Sequence, residues 1–323
     1  MSAGTDGPQF TTDEDLGLES NVVLPPDPAL ASGLARGSRQ HGELVQLLHD
    51  SWHVGRTKIG VAVLLAVLAL AIFGPWIAPY SPTEFVGPPF SGPSGSARLG
   101  TDYIGHDVLT RVLYGGRTVI TLALAATVLG LVVGVSLGLI AGYARRWSDE
   151  TIMRILDVVL AFPSIVLALL FVSVFGPRLW LIVLMVGISH APRIARVTRV
   201  SAMEVAQRDF VRAAEALGVS RARILANEIL PNITSPLLVE FGLRLTYSIG
   251  IIAALSFLGF GLQPPAADWG LMINENRIGI TVQPYAVLIP VILIGILTIG
   301  TNLIADGFGR ALVGIDRDTG GAA

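Results

Sequence analysis

Residues 119–140 read VITLALAATVLGLVVGVSLGLI, an unbroken run without a charged side chain. A run of ~20 such residues is what a helix needs to cross the hydrocarbon core of a bilayer. Comparable stretches occur at Ile59–Ile77, Ile155–Phe175, Pro236–Phe260 and Ala286–Ala305. A shorter one, Leu179–Ser189, becomes a crossing only if its helix continues through Pro192 towards Val200, and Ile155–Phe175 holds Pro163 inside it. The whole chain of 323 residues is 52% hydrophobic and only 14% charged, against roughly 25% charged residues in soluble domains. The pattern predicts an all-α polytopic membrane protein with six spans.

Six crossings make the connections alternate between two sides. One side receives the N-terminal segment (Arg36, Arg39, Arg56, Lys58), Arg145, Arg146 and Arg154, the seven arginines from Arg193 to Arg223, and Arg310 and Arg317. The other receives Arg98, Arg111, Arg117, Arg178 and Arg277. Basic residues remain on the cytoplasmic side, so both termini are predicted to be cytoplasmic. The first 30 residues carry six acids and no base; a segment so charged and so poor in apolar residues cannot offset its ordering entropy, and residues 1–42 are read as a disordered tail. Within 43–57, Leu44, Leu47, Leu48 and Trp52 recur at helical spacing, the pattern of an interfacial amphipathic helix. The membrane domain is 58–310, with an external loop at 79–118 containing a short helix near Asp107–Tyr114, a cytoplasmic loop at 193–232, and a C-terminal tail at 311–323. There is no cysteine, which removes disulfides, thiolate metal sites and thiol catalysis.

The cytoplasmic stretch from Gln207 to Asn232 reads QRDFVRAAEALGVSRARILANEILPN. Phe210, Ala213, Ala214 and Leu217 fall at i, i+3, i+4 and i+7, one stripe of a helix. Asp209 is placed to cap its start, Gly218 to end it in the left-handed conformation, Ser220 to cap a second helix, and Pro231 to stop that helix after Leu230. The stretch resembles the signature loop of importer permeases of the ATP-binding-cassette class: Arg212, Ala213, Ala214, Gly218, Leu230 and Pro231 stand at that loop's spacing, with Arg212 where the general pattern has Glu. Segments 78–82, 99–109, 161–164, 255–265, 268–270 and 302–306 extend the likeness to the C-type subunit of dipeptide, oligopeptide and nickel importers.

The resemblance implies a type I importer transmembrane domain in the inner membrane. It implies a homologous B-type permease subunit as partner, two cytoplasmic ATP-binding subunits docked on Arg212–Gly218 (Glu215 included) and Leu230–Pro231, and an extracytoplasmic substrate-binding protein. Lipid surrounds it and no nucleic acid is involved. ATP and magnesium belong to the partner subunits, so the chain itself holds no cofactor, no metal and no catalytic residues. The residues agree: a phosphate-binding loop needs Gly-x4-Gly-Lys-Ser/Thr, and the only lysine, Lys58, opens a span. Peptides are the leading substrate class, with nickel or another small solute as the alternative; an ion-coupled secondary transporter would be a different class, favouring intramembrane acids along a path. Glu240 and Arg244, four apart in the fifth span, are either a local ion pair or part of that path.

Overall fold

The computed structural model describes residues 48–143 and 146–313. The segment 1–42, residues 43–47 of the interfacial helix and residues 314–323 of the tail lie outside the described residues. Residues 48–53 are helical, with Leu48 and Trp52 exposed. The long helices follow in order: α1 is Gly55–Ile77, α2 Val108–Tyr143, α3 Arg146–Leu160, α4 Ser164–Phe175 and α5 Leu179–Ala206. Then come α6 (Asp209–Ala216), α7 (Thr234–Phe257), α8 (Trp269–Asn276) and α9 (Tyr285–Val313). The described residues contain no strand beyond two isolated bridges, Phe85 with His106 and Thr101 with Asp107.

Two spans differ from the sequence expectation. The stretch 155–175 is not one helix: the chain breaks between α3 and α4, which are bent by 78°. The short run at 179–189 is the unbroken one, because α5 continues through Pro192 to Ala206. Packing explains the difference. Ala161, Phe162 and Pro163 are all exposed, so nothing opposes the break that a proline favours in the preceding residues. Pro192 is buried between neighbouring helices, and α5 is held straight along its length by α2. The external loop is also shorter than read, ending at Asp107, since the turns near Asp107–Tyr114 are the start of α2 itself.

The α2–α5 contact is backbone against backbone. A Cβ on Gly130, Gly134, Gly138 or Gly142 would lie 2.8, 2.7, 2.6 and 2.8 Å from the carbonyl oxygens of Gly187, Ala191, Ala195 and Arg199. Small residues at every fourth position let membrane helices approach this closely. The numbering rises together on both helices, so α2 and α5 are parallel. Leu179 therefore lies level with about Leu122, roughly 20 residues and about 30 Å above Tyr143 at 1.5 Å per residue. The segment α3–α4 must climb that distance, which is the thickness of a hydrocarbon core. The bent pair thus serves as one crossing, and six crossings result.

The other contacts are antiparallel. Gly74 of α1 meets Leu113 of α2, and the Arg117 guanidinium donates to the carbonyls of Ala71 and Ile72 at 2.8 and 2.7 Å. Gly60 of α1 faces Gly300 of α9, and Gly307 faces Thr57. Gly242 of α7 faces Ala305 of α9, with Thr246 and Thr301 hydroxyls 3.1 Å apart. The start of α1 and the end of α9 consequently meet at one end of the bundle, here termed the Gly55 end; the loops 78–107 and 258–284 lie at the opposite, Val108 end.

Replacing Gly134 by Ala would press a methyl against Ala191 O and Ile194 Cβ, both 2.7 Å away. Overpacking of this kind costs about 1–3 kcal/mol. At Gly295 of α9 nothing lies within 4 Å of an added Cβ, and Ala favours a helix interior over Gly by ~1 kcal/mol. Thermal unfolding in detergent should therefore show a lowered midpoint for Gly134→Ala and none for Gly295→Ala. Equal midpoints for the two variants would contradict the backbone contact.

Candidate functional site

At the Gly55 end the connection between α5 and α7 begins at Gln207, later than the sequence bound of 193, because α5 runs on to Ala206. Asp209 is the first residue of α6 and not its cap; Arg208 holds the extended cap conformation, with no side-chain cap bond. Gly218 has φ +76°, the left-handed conformation that residues with a Cβ enter at a cost of ~1 kcal/mol or more. There Val219 N donates to Ala214 O at 3.1 Å and Leu217 N to Ala213 O at 3.0 Å, closing the helix end.

The buried face of α6 centres on Val211, which is fully buried with Phe210 and Ala214 packed beside it. Its neighbours are Leu139 of α2, Ala202 and Val205 of α5, and Ile224, Ile229 and Ile233. The predicted stripe is therefore shifted: Leu217 faces outward, 83% exposed, and Arg212, Ala213, Glu215 and Gly218 are exposed with it. The Tyr143 hydroxyl at the end of α2 donates to the Glu215 carboxylate. Leu217 thus stands exposed at a turn fixed by Gly218, with the small residues Ala213 and Ala216 exposed beside it.

Pro231 does not end the second helix. Arg221–Arg223 forms one α-helical turn, Ile224–Ile229 widens to π-helix, and Leu230–Ile233 tightens to a 3-10 turn that runs straight into α7. Pro231 sits at the start of that 3-10 turn, where the hydrogen-bond register is changing and its missing N–H leaves the ladder intact. Leu230 is half-buried against the Val211 cluster while Pro231 is exposed. The lead-in and α7 form one helical rod, Arg221–Phe257.

Deeper in the bundle, the Ser248 hydroxyl of α7 lies 2.9 Å from His190 Nε2 of α5 and accepts from Thr127 Oγ1 of α2 at 3.0 Å. One turn towards the Gly55 end, Arg244 Nε donates to Glu240 at 2.9 Å, and its guanidinium lies 5.3 Å from the centre of the Tyr247 ring. At the membrane edge, Arg199 of α5 grips Asp149 of α3 with two bonds of 2.5 Å, and Arg196 pairs with Asp157. Arg56 pairs with Asp306 at 3.1 Å, joining α1 to α9.

At the Val108 end a second polar centre is built on Arg111, which is almost wholly buried in the first turn of α2. It bonds Asp102 from the preceding loop, Glu275 of α8 at 2.9 Å and the Ala266 carbonyl at 3.1 Å. Tyr103 N donates to Asn276 at 2.9 Å and Tyr103 OH to Glu275 at 3.2 Å. Trp269 is fully buried against Gly115 and Gly116, its indole donating to Val112 O at 2.9 Å. Asp107 caps α2 through Thr110 N at 2.8 Å, and Asp268 caps α8 through Leu271 N at 3.0 Å. Burial raises the Glu275 carboxyl pKa above its ordinary value, with Arg111 opposing; burial likewise raises Asp268. Sequence reading missed this centre, because Arg111 and Glu275 are far apart in the chain. The signal available was the density of Asp and Gly in 99–109.

Comparison with known proteins gives a consistent result. Residues 134–314 match the family described as binding-protein-dependent transport system inner membrane component, and residues 58–91 match the N-terminal TM domain of oligopeptide transport permease C. The chain is 37% identical to a dipeptide transport system permease protein of Alkalihalophilus pseudofirmus over 79% of this chain and 84% of that one. It is 36% identical to a di/tripeptide transport system permease protein of Pseudomonas aeruginosa, over 78% and 86%. It is 35% identical to a glutathione transport system permease protein of Pectobacterium atrosepticum, over 78% and 84%.

The raised pKa of Glu275 has a definite sign. The native state holds this proton more tightly than the unfolded chain, so the stability it contributes is complete below the unfolded value and lost as pH rises through the folded one. Against Glu275→Gln, which cannot ionise, the wild type should gain stability as pH falls from neutral towards 4.5, the ordinary Glu value. Unfolding midpoints of the two proteins, compared across that range in detergent, check it; a difference independent of pH would refute the burial cause.

Proposed function

The chain belongs to the family of binding-protein-dependent transport system inner membrane components, and on that premise we propose that it forms half of the pore of an ATP-driven peptide importer, worked by separate ATPase subunits that dock on α6. It is a multi-pass inner-membrane protein of the type I ABC importer fold. The observation that carries the docking assignment is the combination at α6: a rigid, glycine-terminated helix with Leu217 83% exposed and Val211 fully buried. The work of ATP must arrive by contact, since no phosphate-binding loop exists in the sequence.

The Gly55 end is the cytoplasmic one in this reading. It carries Arg56, Lys58, Arg154, Arg208, Arg212, Arg221, Arg223 and Arg310 on its connections and helix ends, in keeping with the retention of basic residues on that side. The opposite cap, locked by Arg111, then faces the binding protein. A homologous permease completes the pore, and two ATPases, one per permease, supply ATP and magnesium. Peptides are the substrate class because the relatives named above are permeases for dipeptides, di/tripeptides and glutathione.

Force transfer follows from the packing. A displacement of α6 acts on the Val211 cluster, which contains the ends of α2 and α5, and on the rod Arg221–Phe257. A helical rod passes on a push that a flexible loop would absorb. The Glu240–Arg244 pair rides on that rod, and in this reading it keeps two charges neutral within the membrane while the rod moves.

Leu217→Glu and Gly218→Leu should both leave the chain inserted, folded and bound to its partner permease. Each should lower the amount of ATPase subunit recovered with the permease pair, and each should reduce ATP-driven dipeptide uptake in reconstituted vesicles by an order of magnitude or more. Uptake at wild-type rates by both variants, at equal expression, would show that α6 is not the coupling element.

A further inference from the structure

α5 and α7 carry four arginines between them: Arg193, Arg196, Arg199 and Arg244. Three have acids: Asp157 for Arg196, Asp149 for Arg199 and Glu240 for Arg244. Arg193 is exposed and, among the described residues, has no acid or hydrogen-bond partner. The next residues of the neighbouring chain, 160–163, read LAFP and offer none. Its depth follows from the α2–α5 register. Arg193 lies level with about residue 136 of α2, one turn inside Ile140, an exposed apolar residue near the end of the long apolar run. An uncompensated guanidinium at that depth is costly and marks a functional position.

The surroundings are specific. On the same face of α5, Ile182, Met185, Val186 and Ser189 are buried, and cover is lost from Arg193 onward. His190 of α5 meets Ser248 of α7 at 2.9 Å, and Arg193 and Arg244 each follow about one turn from that contact towards the Gly55 end, which sets them at one level on adjacent helices. Beside them α7 presents its uncovered face, with Tyr247 55% exposed and Gly250 open, nothing within 4 Å of where a Cβ would be. Glu240 is the partner of Arg244, which leaves Arg193 unbalanced. The local charge is therefore positive, short of one anion, and open on the side that none of the described helices covers.

We infer that Arg193, with Arg244 and Tyr247 beside it, is a carboxylate-binding station in the translocation path, taking the C-terminal carboxylate of a peptide in transit. This rests on the peptide-importer reading and adds a residue-level determinant to it. Arg193 supplies the free guanidinium, which matches a carboxylate with two parallel N–H bonds. Arg244, held by Glu240, supplies field without binding the substrate so tightly that it cannot leave. The station would favour small peptides with a free C-terminus over amidated ones, beyond any selection made by the binding protein.

The absence of native cysteine makes a charge-rescue experiment direct. Arg193→Cys is reconstituted in vesicles with the partner permease, ATPases and binding protein, and ATP-driven dialanine uptake is measured. Loss of a charge-assisted pair should slow uptake about tenfold. Attaching an ethylammonium group to the thiol through a methanethiosulfonate should restore most of the rate; attaching an ethylsulfonate should not. Dialanine should slow labelling of this thiol, and dialanine amide should not. Should Arg193→Cys fail to insert, Arg193→Lys and Arg193→Gln provide the same contrast, with Lys retaining most uptake and Gln about tenfold slower. Rescue by both reagents alike, equal protection by the amide, or loss of the partner permease on purification would overturn the station, the last by assigning Arg193 to an acid of that partner. Unchanged uptake in Arg193→Gln would overturn it too. If the wild type shows no ATP-driven dialanine uptake, the peptide reading itself fails, and the station with it.

Discussion

The backbone of α2 lies against the backbone of α5 at four successive glycines, and the positions of the remaining helices follow from that contact. Lipid tails are as apolar as leucine side chains, so helices in a membrane gain little from hiding apolar surface from one another. Close approach, dispersion and Cα–H···O contacts must supply the association. Gly130, Gly134, Gly138 and Gly142 supply it by presenting no side chain to the carbonyls of α5. Because the two helices run parallel, the chain between them has to return across the membrane, and the bent α3–α4 pair is the piece that does so. The Arg196–Asp157 and Arg199–Asp149 bonds fix α3 to α5 at the end where α2 finishes. The same contact places His190 and Thr127 on adjacent helices close enough that Ser248 of α7 bonds both.

Much of this was legible in the sequence, and the exceptions have physical causes. Length and hydropathy located the crossings, since both are properties of one segment against one solvent. Gly218 was legible because a left-handed turn after an amphipathic helix is a local requirement, and its φ is +76°. Three prolines were judged by local rules alone, and tertiary context decided each differently. Pro163 breaks the chain where its neighbours are exposed; Pro192 is carried inside a helix clamped by α2; Pro231 fits a change from π to 3-10 register. Gly134 and Gly138 stand four apart in the run quoted above, but their partner cannot be read there, because spacing says that a helix can be approached and not by which helix. Arg111, Asp102 and Glu275 could not be assembled from sequence at all, since their meeting depends on α8 folding back over the start of α2.

The two ends of the bundle are built on opposite principles. At the Val108 end a buried guanidinium with two carboxylates, two capped helices and a fully buried Trp269 bind the loops to α2 and α8. A buried charge left by removing one partner there would cost several kcal/mol, so the cap is held rigid. At the Gly55 end the attachment of α6 is apolar, through Val211, and its outer surface is left for others. The π-helical segment Ile224–Ile229 lies within the first turns of the rod, between α6 and α7. Wide turns of this kind interrupt the regular ladder and are frequent at functional positions. In the proposed mechanism the rigid cap is the reference against which the lower ends of α2, α5 and α7 are moved.

A further asymmetry runs around the bundle. Glycine or alanine contacts close the sides where α1 meets α9, α9 meets α7, and α2 meets α5. Among the described residues the face of α7 with Tyr247 and Gly250 has no such cover, and Arg193 of α5 is exposed at a similar level. Lipid cannot be the natural solvent for that face, because a guanidinium and a phenol at such depth find no water or counter-charge among acyl chains. An aqueous path or a second protein can supply both. The proposed pore of two homologous halves would provide each in turn: a second permease would wall the face off from lipid, and the space between the halves would hold the water and the substrate. In the proposed reading the polar groups of α5 and α7 form half of an enclosure, with the Thr127–Ser248–His190 bonds buried between the helices and Arg193 and Tyr247 left exposed to the passage.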